Sequence, residues 1–174
     1  MTCLYTVGHG DRSQAELLSL LDSQAIRTLV DIRAHPQSGR FPHFSEAALR
    51  AACEERGLTY HWAGRQLGGQ RPAAAGSRHQ ALDEGLRGFA DYMDSEPFPR
   101  AAAQIRNLAD RGATAVLCAE RDPLFCHRSL LSDYLLLQGV EVLHLIGPGE
   151  VREHQLRPEA RRESAELIYD RVMT

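Results

Sequence analysis

The sequence predicts a three-layer, Rossmann-like α/β domain. A mainly parallel sheet of about five strands would lie between two layers of helices and carry a C-terminal helical extension. Three observations predict it. Short apolar runs alternate with segments of helical periodicity along most of the 174 residues. Glycine and proline punctuate the changeovers. No internal repeat breaks the alternation, so a single domain is expected over 1–174, with a core over 1–149 and the extension over 150–174.

Leu4 to Val7 reads as a buried strand ended by Gly8-His9-Gly10. Ser13 and Glu16 have the spacing of a capping box, and Leu17, Leu18, Leu20 and Leu21 give the helix behind it an apolar face closing near Ser23. Thr28 to Arg33 is the second strand, broken after by Pro36 and Gly39. Ser45 can cap a helix over 46–56 that stops at Gly57. Leu58 to Trp62 is a short third strand. Residues 63–84 carry five glycine and proline breakers and read as a long surface loop, a length usually reserved for function. Helical patterns follow over 85–95 and 99–111, separated by Pro97 and Pro99. Thr114 to Cys118 is the fourth strand, 127–138 a leucine-rich helix ended by Gly139, and Val140 to Ile146 the fifth strand. The tail over 158–172, dense in both arginine and glutamate, reads as a mixed-charge helix with a solvated face or a homodimer contact.

All twenty basic residues are arginine. The absence of lysine excludes a lysine Schiff base, a pyridoxal-phosphate anchor and the lysine of a phosphate-binding P-loop. Anion recognition then falls to planar guanidinium forks. A net charge of −3 provides no global footprint for nucleic acid. With no apolar membrane span and no leader pattern, the expected compartment is the cytoplasm. Cys3, Cys53, Cys118 and Cys126 are expected as free thiols there, Cys3 and Cys53 as structural residues.

Ligands of parallel sheets bind beyond the carboxyl ends of the strands. There the sequence places Gly8 and His9, Asp31 and Arg33, then Cys118 with Glu120, and Cys126-His127-Arg128 opening a helix. A thiol at Cys126 would be favoured as thiolate by the helix terminus, by Arg128, and by His127 if protonated; its bland alternative is a small buried hydrophobe. Cys118 follows an apolar strand and could act or simply pack. Arg33 and Arg128 could clamp a phosphate or carboxylate, or pair with Asp31 and Glu120 to orient the loops. His9 could serve as acid or base, or as a bonded structural residue. A Cys-x5-Arg phosphatase loop fails at both cysteines, Leu124 and Ser132 standing at the arginine positions. Zinc could draw on Cys118, Cys126, His127 and His9, but the Cys-x7-Cys spacing matches no usual knuckle, so no cofactor is expected.

These segments resemble the domain of unknown function 488 family: Thr6-Val7-Gly8-His9; Leu29 to Arg33 with Pro36 and Ser38; Leu67-Gly68-Gly69; Cys118-Ala119-Glu120; Cys126-His127-Arg128; then Val142 and His144. The resemblance runs from about Leu4 to Gly147. It implies a compact α/β domain and supplies no reaction, substrate or cofactor. Gly10 stands where serine is expected in many relatives.

The leading expectation is an enzyme, a cysteine-dependent hydrolase or transferase, acting on a small anionic molecule such as a nucleotide or phosphorylated metabolite. Cys126 or Cys118 would be the nucleophile and Glu120 or His9 the proton-transfer group. Arg33 and Arg128 would hold the anion, and the 63–84 loop with Arg65 would close over it. Two alternatives stay open: a ligand-binding or thiol redox-sensing module, and a nucleic-acid-processing protein using Arg65, Arg71, Arg78 and Arg87. Asp83 and Glu84 partly offset that strip, so nucleic acid is not the favoured partner. No membrane partner is expected.

Overall fold

The computed structural model describes residues 1–37 and 39–172; Ser38, Met173 and Thr174 lie outside the described residues. Five strands run parallel: β1 (Cys3–Gly8), β2 (Thr28–Asp31), β3 (Thr59–Trp62), β4 (Thr114–Cys118) and β5 (Glu141–Gly147). A sixth, β6 (Glu150–Glu153), adds antiparallel to β5, giving the order β3-β2-β4-β1-β5-β6.

Central position explains sequence here. All five residues of β4 are buried, as a strand with neighbours on both sides and helices on both faces requires. Its alternate residues serve opposite layers. Ala115 and Leu117 pack with Leu17, Leu21, Phe44 and Leu49 from helices α1 (Gln14–Ser23) and α2 (Glu46–Glu55) and the turn before α2. Val116 and Cys118 face the other layer, built on α3 (Gly64–Leu67), α4 (Glu84–Met93), α5 (Pro97–Arg111) and α6 (Arg128–Leu137). The three expected layers are present, and the Ser13–Glu16 capping box and the Ser45 cap form at the expected helix starts.

From β1 the chain winds toward β2 and β3 under α1 and α2. It then returns to β4 and winds the other way to β5 under α6. The loops leaving β1 and β4 therefore diverge to opposite faces of adjacent strands, which opens a crevice at their carboxyl ends.

The expected helix over 158–172 is a correction. This segment is a hairpin, β7 (Ala160–Glu163) and β8 (Glu166–Tyr169), turning at Ser164 with φ +54°. The charges that suggested i,i+4 pairing pair within the hairpin instead: Arg161 grips Asp170 at the end of the other arm at 2.9 Å and Glu163 on its own strand at 2.6 Å. Leu167, Ile168 and Tyr169 are buried, and Leu167 and Tyr169 join the α6-side core, so tertiary packing overrides the weak helical preference. The loop expected over 63–84 begins with the short helix α3. Among the described residues no helix is long and apolar enough to cross a membrane.

Candidate active site

Polar groups converge where the crevice opens. The end of β1 is tied to the segment after β4 by His9 N–H to the Cys118 carbonyl (3.0 Å) and Gly10 N–H to the Ala119 carbonyl (2.9 Å). This approach needs Gly8, because a Cβ there would stand 1.7 Å from the Glu120 carbonyl oxygen. His9 is buried and stacked on Phe44 at 4.6 Å between ring centroids. Its Nδ1–H donates to the Gly10 carbonyl at 2.8 Å, leaving Nε2 to accept a long contact of 3.4 Å from Arg33 Nη1. Burial, reinforced by Arg33 against the Gly10 bond, pushes its pKa down, so the ring is neutral.

Arg33 is held by Asp31. Nε and Nη2 donate to the two carboxylate oxygens at 2.8 and 2.6 Å, and the Tyr60 hydroxyl also donates to Oδ2. Asp31 is fully buried and does not reach the cleft; it positions the arginine. Arg33 lines two adjoining hollows. One of about 380 Å³ includes Cys118, Glu120, Cys126 and His127, and one of about 460 Å³ includes His9 and Arg40. Glu120 lines both, is exposed, and has no hydrogen-bond or ion-pair partner for its carboxylate among the described residues.

Cys118 and Cys126 meet on the floor of the first hollow, their Sγ atoms 2.6 Å apart. Both are reduced and buried. Burial raises the Cys118 thiol. The hydrogen bond from Cys126, the charge of Arg128 and the Glu120 backbone more than offset that, leaving it below the ordinary thiol range. Burial and the partner sulfur push Cys126 well above that range. Cys126 accepts the Arg128 N–H at 3.3 Å. The surroundings thus act in opposite directions on the two sulfurs, lowering the Cys118 thiol and raising that of Cys126.

Arg128 lies beneath the cleft, fully buried, donating to Thr6 Oγ1 (3.1 Å) and to the carbonyls of Glu120 (2.9 Å) and Arg121 (2.8 Å). It lines neither hollow and bonds no carboxylate. His127 donates Nε2–H to the Ile32 carbonyl at 3.0 Å, and desolvation brings its pKa to about 4, so it adds no positive charge. Gly69 packs against this ring; a Cβ there would stand 2.9 Å from Nδ1.

Arg65 lies outside both hollows. Three arginines of the suggested basic strip are engaged internally. Arg71 bonds two carbonyls and covers the Tyr92 ring at 3.6 Å, Arg78 pairs with Asp94 and Glu166, and Arg87 bonds the Leu82 carbonyl. Sequence reasoning missed His35, Asp83, Leu124 and Phe125, which also line the first hollow. Phe125 is 73% exposed, an apolar residue on the rim. Its position beside Cys126-His127-Arg128 was the available signal.

One group of metal-ligating types gathers within 4.8 Å among the described residues: His79, Asp91 and Asp94. Tyr169 N–H donates to His79 Nδ1 at 3.1 Å, so Nε2 keeps the ring proton and gives it to Asp94 at 2.8 Å. That ring has no lone pair left for an ion. The ligand atoms of Cys118, Cys126, His127 and His9 do not gather this closely as a set.

The family model described as Domain of unknown function DUF488 matches residues 13–135. No curated protein and no solved structure matches the chain.

Proposed function

The chain belongs to the domain of unknown function DUF488 family, and from that premise we propose that it is a cysteine-dependent enzyme acting on a small anionic substrate in the crevice between β1 and β4. The observation that carries the reading is the Cys118–Cys126 contact on the cleft floor, with the buried Arg128 charge behind it. A thiolate in an electropositive hollow is a nucleophile. Arg33 Nη1, aimed by the Asp31 fork, supplies the anion contact. Glu120, exposed in both hollows, can pass a proton between water and the departing group through its carboxyl oxygens. His9 stays neutral and steadies Arg33. Sγ of Cys118 adds to an electrophilic carbon or phosphorus, the leaving group departs with a proton, and water or a second acceptor discharges the adduct. A hydrolase and a transferase differ only in that acceptor.

The test is alkylation of each cysteine against pH, resolved peptide by peptide. Cys118 should label with an apparent pKa below the free-thiol value of about 8.5. Burial holds Cys3 and Cys53 at about 11, so both should lag. Millimolar inorganic phosphate should slow Cys118. Labelling of Cys118 no faster than Cys126, with an ordinary thiol profile, overturns the reading.

The 2.6 Å sulfur contact also favours a second reading, a redox sensor. A peroxide would oxidise Cys118 to the sulfenic acid with release of the alcohol or water, and Cys126 would then condense with it to a disulfide, releasing water. Mild peroxide should remove two thiols of the four, restored by dithiothreitol. An unchanged thiol count excludes this reading.

A further inference from the structure

A chain of hydrogen bonds leaves the thiol pair through the back of the site and returns to the helix from which it started. Arg128, in the first turn of α6, donates Nη1–H to Thr6 Oγ1 on β1 at 3.1 Å. Thr6 and His144 are register partners on β1 and β5, and Oγ1 lies 2.5 Å from His144 Nδ1. His144 Nε2 lies 2.8 Å from His154 Nδ1, and His154 Nε2 lies 2.7 Å from Asp133 Oδ1, also on α6. The Tyr169 hydroxyl (2.9 Å) and the Arg157 N–H (3.2 Å) complete the carboxylate. Every member is buried.

The chemistry of the ends fixes the direction of the chain. A guanidinium only donates and a carboxylate only accepts. Where each ring bears one proton, each link has one donor and one acceptor. Arg128 donates to Thr6, the Thr6 hydroxyl to His144 Nδ1, His144 Nε2–H to His154 Nδ1, and His154 Nε2–H to Asp133. An added proton on either ring breaks this order. It would force His144 Nδ1–H toward Thr6 and leave the Thr6 hydroxyl proton without its acceptor. The charged groups facing His144 are Arg128 and Arg152, with His154 beside them, and burial together with these neighbours keeps the ring neutral.

We propose that Asp133, His154, His144 and Thr6 form a positioning relay that locks the Arg128 guanidinium against the Glu120 and Arg121 carbonyls, beside Cys118. The proposal rests on the reading of Cys118 as the nucleophile. A buried cation without compensation is costly. A carboxylate in direct contact would remove that cost and also cancel the field acting on the thiol. The relay separates the two effects. Asp133 offsets the charge through polarised hydrogen bonds, five positions along the helix, while the near side of Arg128 still faces the sulfur pair.

Thr6→Val removes the hydroxyl at nearly constant shape, and Thr6→Ser keeps it. On the full chain, Thr6→Val should move the pH profile of Cys118 alkylation up by about one unit, slowing labelling at pH 7 by about tenfold. The rate at Cys3 should stay unchanged, and Thr6→Ser should restore the Cys118 profile. If Thr6→Val does not fold, imidazole nitrogen NMR of the unaltered protein decides. Both His144 and His154 should be Nε2–H tautomers at pH 8. A Nδ1–H tautomer at either ring, or a Cys118 profile unmoved in folded Thr6→Val, overturns the relay. An ordinary thiol profile for Cys118 in the unaltered protein overturns the nucleophile reading instead, and the tautomers then judge the relay separately.

Discussion

Asp31 holds Arg33 through two parallel hydrogen bonds, 2.8 Å from Nε and 2.6 Å from Nη2, so that Nη1 is left to face His9 and the cleft. The aspartate is entirely buried and the arginine nearly so. Breaking such a pair from one side strands a buried charge, at a cost of roughly 3–5 kcal/mol. Asp31→Asn should therefore lower the unfolding free energy by about that amount. Tyr60→Phe, which removes one hydrogen bond to the same carboxylate, should cost about 1.5–3 kcal/mol. Urea unfolding checks both, and equal costs for the two variants would contradict the fork.

Acid should weaken the fold through two rings. His127 and His144 are held neutral, with pKa values of about 4 and about 3, by burial and by neighbouring arginines. An unfolded histidine titrates near about 6.5. Below that pH the unfolded chain takes up protons that the native state refuses. Stability therefore falls as pH drops from about 6.5 toward 4, by up to about 1.4 kcal/mol per pH unit for each ring. The urea midpoint should decline between pH 7 and 5, with a shallower slope in His127→Gln. A midpoint that holds steady across that interval would refute the neutral pair.

Gly8 and Gly69 separate a backbone collision from a side-chain one. A methyl group at Gly8 would meet the Glu120 carbonyl oxygen at 1.7 Å, and one at Gly69 would meet the His127 ring at 2.9 Å. Gly8→Ala should cost more than about 3 kcal/mol and displace the Cys118 loop, because overpacking against backbone has no cheap relief. Gly69→Ala should cost about 1 kcal/mol or less if the ring tilts. Thermal unfolding of the two variants gives the ranking.

The turn of the C-terminal hairpin gives a prediction whose sign depends on the fold. Ser164 adopts φ +54°, a conformation that glycine reaches without the side-chain penalty. Ser164→Gly should therefore stabilise the protein by roughly 0.5–1 kcal/mol. In a helix over 158–172 the same change would destabilise, since glycine is a poor helix former, about 1 kcal/mol worse than alanine in a helix interior. The direction of the shift in unfolding midpoint distinguishes the two.

The strands and the cleft were legible in the sequence because local signals and tertiary demands agree there. Thr114 to Cys118 is apolar because both its faces are covered, and Ser13 and Glu16 close a box that needs only local spacing. The hairpin was not legible, because Arg161 finds Asp170 and Glu163 in an arrangement that a helical pattern of charges imitates. Convergence of Arg33, Cys118, Glu120 and Cys126 followed from strand ends alone. The opposite shifts of the two thiols did not, since they depend on a 2.6 Å contact across eight residues. Arg128 looked like an anion contact in sequence, whereas the structure buries it beneath the cleft on Thr6 and the Glu120 and Arg121 carbonyls.

The hydrogen-bonded circuit that begins and ends on α6 bears on modularity. The family match stops at residue 135, past Asp133 but before His144, His154 and Tyr169. A fragment cut at that boundary would keep both cysteines and the arginine behind them. On the proposed relay, residues 13–135 would lack Thr6, His144, His154 and Tyr169, the partners that hold that arginine still. A graft of the site onto another scaffold would then have to carry β1, β5 and the hairpin with it.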